Sequence, residues 1–325
     1  MASGKILRQL LKAGTAGNKD EFRRASEAII EEERQKQHHL LANDLEKILY
    51  SDSLPMTAPA LSRLAGPVPT DKERGLPLLD VSTPKRSLDE LVLSKNKIIM
   101  IEEFLEEHRR SDVLKSYGMK PSNKIIFFGP PGCGKTLTAE VIAFELDMPL
   151  AVVRLDTLVS SYLGETAANL RKVFDYISST PLVALFDEFD ALGKERSDNS
   201  DHGELRRVVN AVLQMIDSYT GKSIIVAATN HEQILDSAIW RRFDDSIEFG
   251  LPNNETISKI LKLKLRGVRR QFEIDNSDVI ELFKNLSGAD IERVCRRAIK
   301  RMILRNHEFL SLTDIEHAKD RESRQ

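Results

Sequence analysis

The chain has 325 residues, of which 41% are hydrophobic, so it is long enough to bury a core in about two domains. Its 48 Lys and Arg residues nearly balance its 50 Asp and Glu residues, which gives a formal net charge of -2. This balance excludes the globally basic surface that attracts proteins to nucleic acid. The two cysteines, Cys133 and Cys295, are too few for a disulfide framework and lack the spacing of a zinc site, which favours a reducing compartment.

Residues 1–50 show helical periodicity in three segments, built on Ile6 to Leu11, Phe22 to Ile30 and Leu40 to Leu49. We expect a small helical bundle, and the pattern does not decide between a bundle packed on the main body and an independent module that binds a partner or client. The N-terminus lacks a secretory signal, and no stretch approaches the ~20 apolar residues that cross a bilayer. The sequence therefore favours a cytoplasmic protein without membrane contact.

Residues 51–85 change in composition. Six prolines lie among Ser, Thr and Gly residues in this stretch, at positions 55, 59, 67, 69, 77 and 84. Such a composition is typical of an extended, flexible linker. The N-terminal bundle is therefore predicted to be tethered.

Residues 86–252 alternate short apolar runs with helical segments. The runs are KIIFF, PLAVVRL, LVALFD, SIIVAA and SIEF, each of the length of a buried strand. This alternation predicts an α/β domain with a parallel sheet covered by helices on both faces. After residue 252 the strands stop, and residues 253–325 are predicted to form a small, all-helical second domain.

The stretch GPPGCGKT follows the KIIFF run directly and fits the spacing of a phosphate-binding P-loop. Its glycines let backbone N–H groups curl around phosphate oxygens, Lys135 offers a cation to the β and γ phosphates, and the Thr136 hydroxyl can bind Mg²⁺. Cys133 lies in the loop but needs no contact with phosphate, so we assign it no catalytic role. The predicted contacts to ATP in this segment are Gly129, Pro130, Pro131, Gly132, Cys133, Gly134, Lys135, Thr136 and Leu137.

Asp187 and Glu188 end the apolar run LVALFD, at the edge where open α/β sheets bind ligands. Two carboxylates at a strand end can simply be solubilising, but beside a P-loop we expect Asp187 to hold hydrated Mg²⁺ and Glu188 to activate a water. Asn230 ends the next run, SIIVAATN, where its amide can hold that water or the γ phosphate. The sequence therefore predicts ATP hydrolysis.

The motifs GPPGCGKT, LFDEFD, AATN and LDSAIWRRFDD, in this order, resemble the AAA ATPases, the clade that includes katanin, spastin and the membrane-bound bacterial AAA proteases. The resemblance covers residues 86–321 and implies a P-loop NTPase domain with a helical lid. It also implies a ring, usually a hexamer, in which ATP lies between subunits and hydrolysis remodels or threads a protein client. Asn230 takes the sensor position, and Arg241 or Arg242 reaches the neighbouring subunit's site as an arginine finger. The two arginines are adjacent here, whereas family members commonly separate them. Alignment on the following FDD favours Arg242, but a loop of different shape could present Arg241, so both stay candidates.

The segment LSGADIERVCRRA resembles the start of the family's lid helix, which implies that Gly288 and Ala289 approach the nucleotide and that Asp290 caps the helix. No arginine starts this helix, which fits the protein-remodelling clade and counts against clamp loaders and replication initiators. The alternative is a DNA-associated ATPase, such as a helicase loader or transposition regulator. The sequence has no basic stripe interleaved with aromatic residues, and this counts against nucleic acid as a partner.

Tyr162, Leu163 and Gly164 follow the second predicted strand, where AAA rings carry an aromatic-hydrophobic-glycine pore loop. The resemblance implies that this loop grips a polypeptide; the alternative is a hydrophobic staple on the following helix. The polar residues 193–204 would form a second pore loop. The short N-terminal bundle and proline-rich linker also resemble bacterial stand-alone AAA ATPases, some of which are encoded beside a subtilisin-like protease, so a separate serine protease is an expected partner.

Overall fold

A computed structural model of the chain describes residues 12, 19–35, 66–72, 75–159, 166–192, 211–234 and 237–322. The chain divides into two compact units, Met1–Pro59 and Ala60–Gln325. In the first unit, helix α1 (Lys19–Gln35) contains the second of the three predicted helical segments, and its Ala25 and Ile30 side chains are buried. The other two segments lie outside the described residues.

The second unit is built on a six-stranded sheet in the order β1-β3-β4-β5-β2-β6. The strands are β1 (Leu79–Ser82), β2 (Lys124–Phe128), β3 (Leu150–Val153), β4 (Val183–Phe186), β5 (Ile224–Thr229) and β6 (Asp245–Glu248). All neighbours run parallel except β1, which is antiparallel to β3. Every residue of β4 and β5 is buried, which explains why each appears in the sequence as an unbroken apolar run. The predicted α/β class is confirmed.

Helices cover both faces of this sheet. They are α2 (Lys95–Arg109), α3 (Ser111–Ser116), α4 (Lys135–Glu145), α5 (Leu155–Val159), α6 (Thr166–Ser179), α7 (residues 211–218) and α8 (Ser237–Trp240). Along β2, Ile126 packs into a core cluster with α6 and α7, while Ile125 and Phe127 pack with α2 and α4. Side chains alternate between faces along a strand, so both faces are buried. Among the helices described, none combines the length and the apolar character needed to cross a membrane.

Four helices follow the sheet and share a separate core. They are α9 (Asn254–Lys264), α10 (Ser277–Leu282), α11 (Gly288–Leu304) and α12 (Leu312–Glu322), and we call them the lid. The N-cap of α11 is Ser287, whose hydroxyl accepts the N–H of Asp290 at 3.2 Å, while Asp290 accepts the N–H of Ser287 at 3.1 Å. The expectation that Asp290 is the N-cap is thus corrected: Ser287 is the N-cap, and Asp290 occupies the N3 position of a capping box.

The predicted linker ends earlier than expected. We expected it to run to Lys85, but Leu79–Ser82 forms β1, and Leu78 and Leu79 are buried. This strand has only four residues and lies between Pro77 and Pro84. An edge strand tolerates such flanking prolines because only one of its sides is hydrogen-bonded. The proline content therefore placed the end of the predicted linker too late in the chain.

Four polar residues, two of them buried, fix the segment before β1 to helix α6; we call Thr70, Asp71, Asn169 and Lys172 the Asp71 clasp. Asp71 is 3% exposed and Asn169 1% exposed, and the Asn169 amide donates to the Asp71 carboxylate at 3.0 Å. Lys172 donates to the Thr70 carbonyl and to Asn169 Oδ1, both at 3.0 Å. Buried polar groups need such partners, because burying them unpaired costs free energy.

Candidate nucleotide site

The loop that follows β2 depends on three glycines with positive φ. Gly129, Gly132 and Gly134 have φ angles of 127°, 74° and 103°, a region that side chains with a β-carbon rarely adopt. A β-carbon on Gly129 would also overlap the carbonyl oxygen of Phe249, at the end of β6. The glycines of the motif therefore set the path of the loop from β2 into α4.

Lys135 lies in the first turn of α4 and folds back over this loop. Its Nζ donates to the backbone carbonyls of Gly129 at 2.6 Å and Pro130 at 2.9 Å. The side chain is buried, which lowers the pKa of Lys135, while the nearby Asp187 and Asp190 oppose that shift. The ammonium group is thus held beside the N-terminus of α4, where backbone N–H groups and the helix dipole attract anions.

Thr136 and Asp187 meet although they lie 51 residues apart, because β4 reaches the same sheet edge as β2. The Thr136 hydroxyl donates to Asp187 Oδ2 at 2.8 Å. A hydroxyl and a carboxylate oxygen at this separation are the ligand types that Mg²⁺ accepts, so the donor set fits the predicted ion. Burial raises the pKa of the Cys133 thiol, which also lies in this loop.

Glu188, which follows Asp187, has a strained backbone. Its φ is 51°, one of four positive values among the described non-glycine residues, and its side chain is exposed. Its N–H donates to Asp187 Oδ1 at 2.9 Å, which fixes the tight turn after β4. Strain of this kind concentrates at functional sites and here is held in place by the rigid end of a buried strand.

Asp190 connects the ends of β4 and β5 and was not predicted from the sequence. It is 2% exposed, and its Oδ1 accepts the Thr229 hydroxyl at 3.2 Å and the Asn230 N–H at 3.3 Å. Asn230 is thereby positioned by the same short turn that carries Asp187 and Glu188. No local signal distinguishes Asp190 from a solvated carboxylate, because its partners come from another strand.

A cavity of about 590 Å³ lies between the sheet edge and the lid, which is in the size range of small-molecule sites. Its wall includes most of the predicted residues, namely Pro131, Gly132, Cys133, Gly134, Lys135, Thr136, Leu137, Asp187, Glu188, Asn230, Gly288 and Ala289. The lid closes it directly on the P-loop, where the Ala289 N–H donates to the Gly132 carbonyl at 3.0 Å. The structure thus brings together residues from β2, β4, β5 and α11.

Part of the cavity wall is apolar and was not predicted from the sequence. Val92 and Leu93, which precede α2, line it together with Ile260 and Leu263 of α9. Val92 also packs against the core of the lid. The apolar periodicity of α9 predicts that Ile260 faces a core. Only the fold shows that Ile260 contacts both the lid core and the cavity.

The two candidate arginines lie away from this cavity and differ in their surroundings. Neither belongs to the described cavity wall. Arg242 donates through Nε to Asp217 of α7 at 2.6 Å, whereas the Arg241 side chain is exposed. Within one chain, neither arginine completes the site.

The candidate pore loop, Tyr162, Leu163 and Gly164, lies outside the described residues, as do residues 193–204. The helix that follows the candidate loop, α6, begins at Thr166. Its first turns carry Asn169 of the Asp71 clasp.

A parallel sheet with this loop after one strand and an acidic pair after another defines a P-loop nucleoside triphosphatase. The family described as "ATPase family associated with various cellular activities (AAA)" matches residues 125–251, from β2 to just beyond β6. The chain is also similar over its whole length to an uncharacterized AAA family ATPase of Sinorhizobium fredii, with 40% identity over 325 residues and 96% of that protein covered. The chain belongs to the AAA family of ATPases.

A more distant similarity points in the same direction. A protein of Methanocaldococcus jannaschii named as a 26S proteasome regulatory subunit homolog is 33% identical over 229 residues. The match covers 69% of this chain and 60% of that protein. It therefore covers only part of each chain.

Proposed function

We propose that the chain is one subunit of an ATP-hydrolysing ring, a hexamer, that remodels, unfolds or threads a protein client through a central pore. The observation that carries this proposal is an ATPase site that lacks only the arginine finger expected from the WRRFDD motif, although Arg86 lies on its wall. Thr136, Asp187, Glu188 and Asn230 surround one cavity, while both arginines of the WRRFDD motif lie outside it. A neighbouring copy of the chain supplies the missing cation.

Each residue of the site has a role that follows from its position. Lys135 exchanges its two carbonyl acceptors for phosphate oxygens when ATP binds, and Thr136 and Asp187 hold Mg²⁺. Held by these two residues, the ion would neutralise negative charge on the phosphates. Glu188 accepts a proton from the attacking water, and Asn230, fixed by Asp190, orients that water or the γ phosphate.

The arginine pair acts across the subunit boundary. Arg241 is exposed and therefore available to a neighbour, while Arg242 reaches a neighbour only by leaving Asp217. That exposed ion pair is a weak constraint, since surface pairs contribute on the order of 0–1 kcal/mol. Both arginines stay candidates, and Arg241 needs the smaller rearrangement.

A protein client is favoured over nucleic acid. The name of the Methanocaldococcus relative concerns a proteasome regulatory subunit, and this supports a protein substrate. The net charge of -2 gives no basic field for nucleic acid. The pore-loop residues Tyr162, Leu163 and Gly164 hold the client, and degradation, where it follows, is carried out by a separate serine protease.

The test compares Tyr162→Ala with the wild type, using unfolded casein and a fluorescent reporter protein with an unstructured tail. Tyr162→Ala should lose casein-stimulated hydrolysis and reporter unfolding, while its basal ATPase rate stays within about twofold of the wild-type rate, because other residues line the described nucleotide cavity. Tyr117→Ala is the matched control, because Tyr117 is a tyrosine that is 76% exposed at the end of α3 and does not line that cavity. It should behave as wild type.

Two outcomes contradict the proposal. Tyr162→Ala rings that unfold the reporter at the wild-type rate would remove the gripping role. Stimulation of the wild type by single- or double-stranded DNA, with no response to casein or the reporter, would replace the protein client with nucleic acid.

A further inference from the structure

An ion pair crosses the lid wall of the cavity. Lys264, at the last position of α9, lies 2.6 Å through Nζ from Oε2 of Glu292 on α11, and both residues line the cavity. The two side chains are about one third exposed, at 31% and 34%, so they face the cavity without being sealed from it. The hydrogen bond and charge of Lys264 lower the pKa of Glu292, with a smaller contribution from Arg296, so the carboxylate is ionised at neutral pH.

The position of this pair is fixed by two contacts that the structure shows. Gly288 starts α11 against the P-loop, where a β-carbon on it would lie 3.4 Å from the Gly132 carbonyl. Glu292 is four residues later, about one helical turn or 5.4 Å along the axis. Leu263 and Ile260, which precede Lys264 on α9, form an apolar part of the cavity wall. Glu292 and Lys264 thus line the same cavity as the P-loop and these apolar side chains.

A nucleotide has one polar, uncharged part between its phosphates and its base, which is the sugar. Phosphates belong at the P-loop and at the N-terminus of α4, and the flat base belongs between the apolar side chains. An ionised carboxylate only accepts hydrogen bonds, and ribose hydroxyls donate them. Dinucleotide-binding folds also recognise ribose by a carboxylate that binds its 2′-hydroxyl.

We infer that Glu292, oriented by Lys264, binds the ribose 2′-hydroxyl and makes the site selective for ribonucleotides over deoxyribonucleotides. Lys264 on the facing helix holds Oε2 of the carboxylate, and Arg296 Nη2 on α11 holds Oε1, each at 2.6 Å, so both are positioning residues, whereas Glu292 touches the substrate. This inference rests on the nucleotide site proposed above and is independent of what the ring acts on. A brace between α9 and α11 would hold the lid together equally well but would not distinguish the two sugars.

The experiment measures dissociation constants for ADP and 2′-deoxy-ADP with Mg²⁺ by calorimetry, because neither ligand is hydrolysed. The wild type should bind 2′-deoxy-ADP about tenfold more weakly than ADP, the usual effect of one hydrogen bond to a charged group. In Glu292→Ala the ratio should fall to about one, through weaker binding of ADP. Glu255→Ala is the matched control, because its 2.7 Å pair with Lys259 lies on the same helix α9 but not on the cavity wall, and its ratio should stay at the wild-type value.

If Glu292→Ala does not fold, Glu292→Gln gives the same test with nearly the same shape. Its amide oxygen is an uncharged acceptor, and since charge-assisted hydrogen bonds are roughly twice as strong, the ratio should fall to about threefold. A wild type that binds both ligands equally, or a Glu292 variant that keeps the full wild-type ratio, overturns the inference. A ring that selects ADP but never unfolds a protein contradicts only the proposed function.

Discussion

The contact between Gly132 and the lid makes the substitution Gly132→Ala a sharp test of how the site is built. A β-carbon at Gly132 would lie 2.5 Å from Ser287 Oγ and 3.0 Å from Ala289 Cβ, both at the start of α11. Contacts under 3 Å are not tolerated, so Ser287 must rotate or the lid must move. Either response loosens the closed side of the nucleotide cavity.

The cost has two parts. An alanine at φ 74° is in the left-handed conformation, which destabilises the folded state by about 1–2 kcal/mol. Rotation of Ser287 removes its hydrogen bond to the Asp290 N–H, an N-cap interaction worth about 1 kcal/mol. If the lid moves instead, the Ala289 hydrogen bond to the Gly132 carbonyl is lost, which is also worth about 1 kcal/mol. We therefore expect the free energy of unfolding to fall by about 2–3 kcal/mol.

The control is Gly118→Ala. Gly118 has nearly the same φ, 75°, but nothing lies within 4 Å of its added β-carbon. Gly118→Ala should lose only the part of the free energy of unfolding that comes from the backbone conformation. The free energy of unfolding measured in urea should therefore be about 1 kcal/mol lower for Gly132→Ala than for Gly118→Ala. ATP affinity should fall in Gly132→Ala alone. Equal stability of the two variants, with ATP affinity unchanged in both, would refute the proposed contact between loop and lid.

The remaining predictions concern turnover and assembly. Glu188→Gln should still bind ATP but hydrolyse it at least about 100-fold more slowly, because Mg²⁺ ligation survives while the general base is lost; a steady-state rate within a few-fold of wild type would contradict this role. Arg242→Ala and Lys135→Ala should each be inactive alone but should recover some ATPase activity when mixed in one ring, because the arginine acts on a neighbouring subunit's site. If rings shown to contain both variants recover no activity, each site is completed within one chain. The same mixing with Arg241→Ala in place of Arg242→Ala identifies which arginine acts. Deletion of residues 1–50 should keep basal ATPase activity and lose client or partner recruitment, and a truncated chain that fails to assemble would argue against an independent module.

The sequence predicted the parts of the fold that depend on local patterns. The run LVALFD predicts β4 because a strand buried on both faces has to be apolar at every position, and the P-loop is recognisable because its glycines are required by backbone geometry. The lid was predicted to be all-helical for a similar reason, since its helices present apolar side chains to a shared core.

Features that depend on contacts between distant segments were missed. Asp190 resembles any surface carboxylate until the end of β5 is placed beside it. Ser287 and Asp290 are both good N-cap residues, and only the bounds of α11 decide between them. The pairing of Lys264 with Glu292 joins residues on two helices whose packing the periodicity does not specify.

The Asp71 clasp sets a limit on how far the N-terminal part of the chain can be removed without consequence. A truncation that ends before Thr70 leaves Asp71 bound to Asn169, whereas one that passes Asp71 strips a buried amide of its acceptor in the first turns of α6. An unsatisfied buried polar group costs about 1–3 kcal/mol, and that cost would fall on the helix that begins just after the candidate pore loop. A load applied through the N-terminal segment therefore enters the ATPase domain at α6 as well as at the edge strand β1.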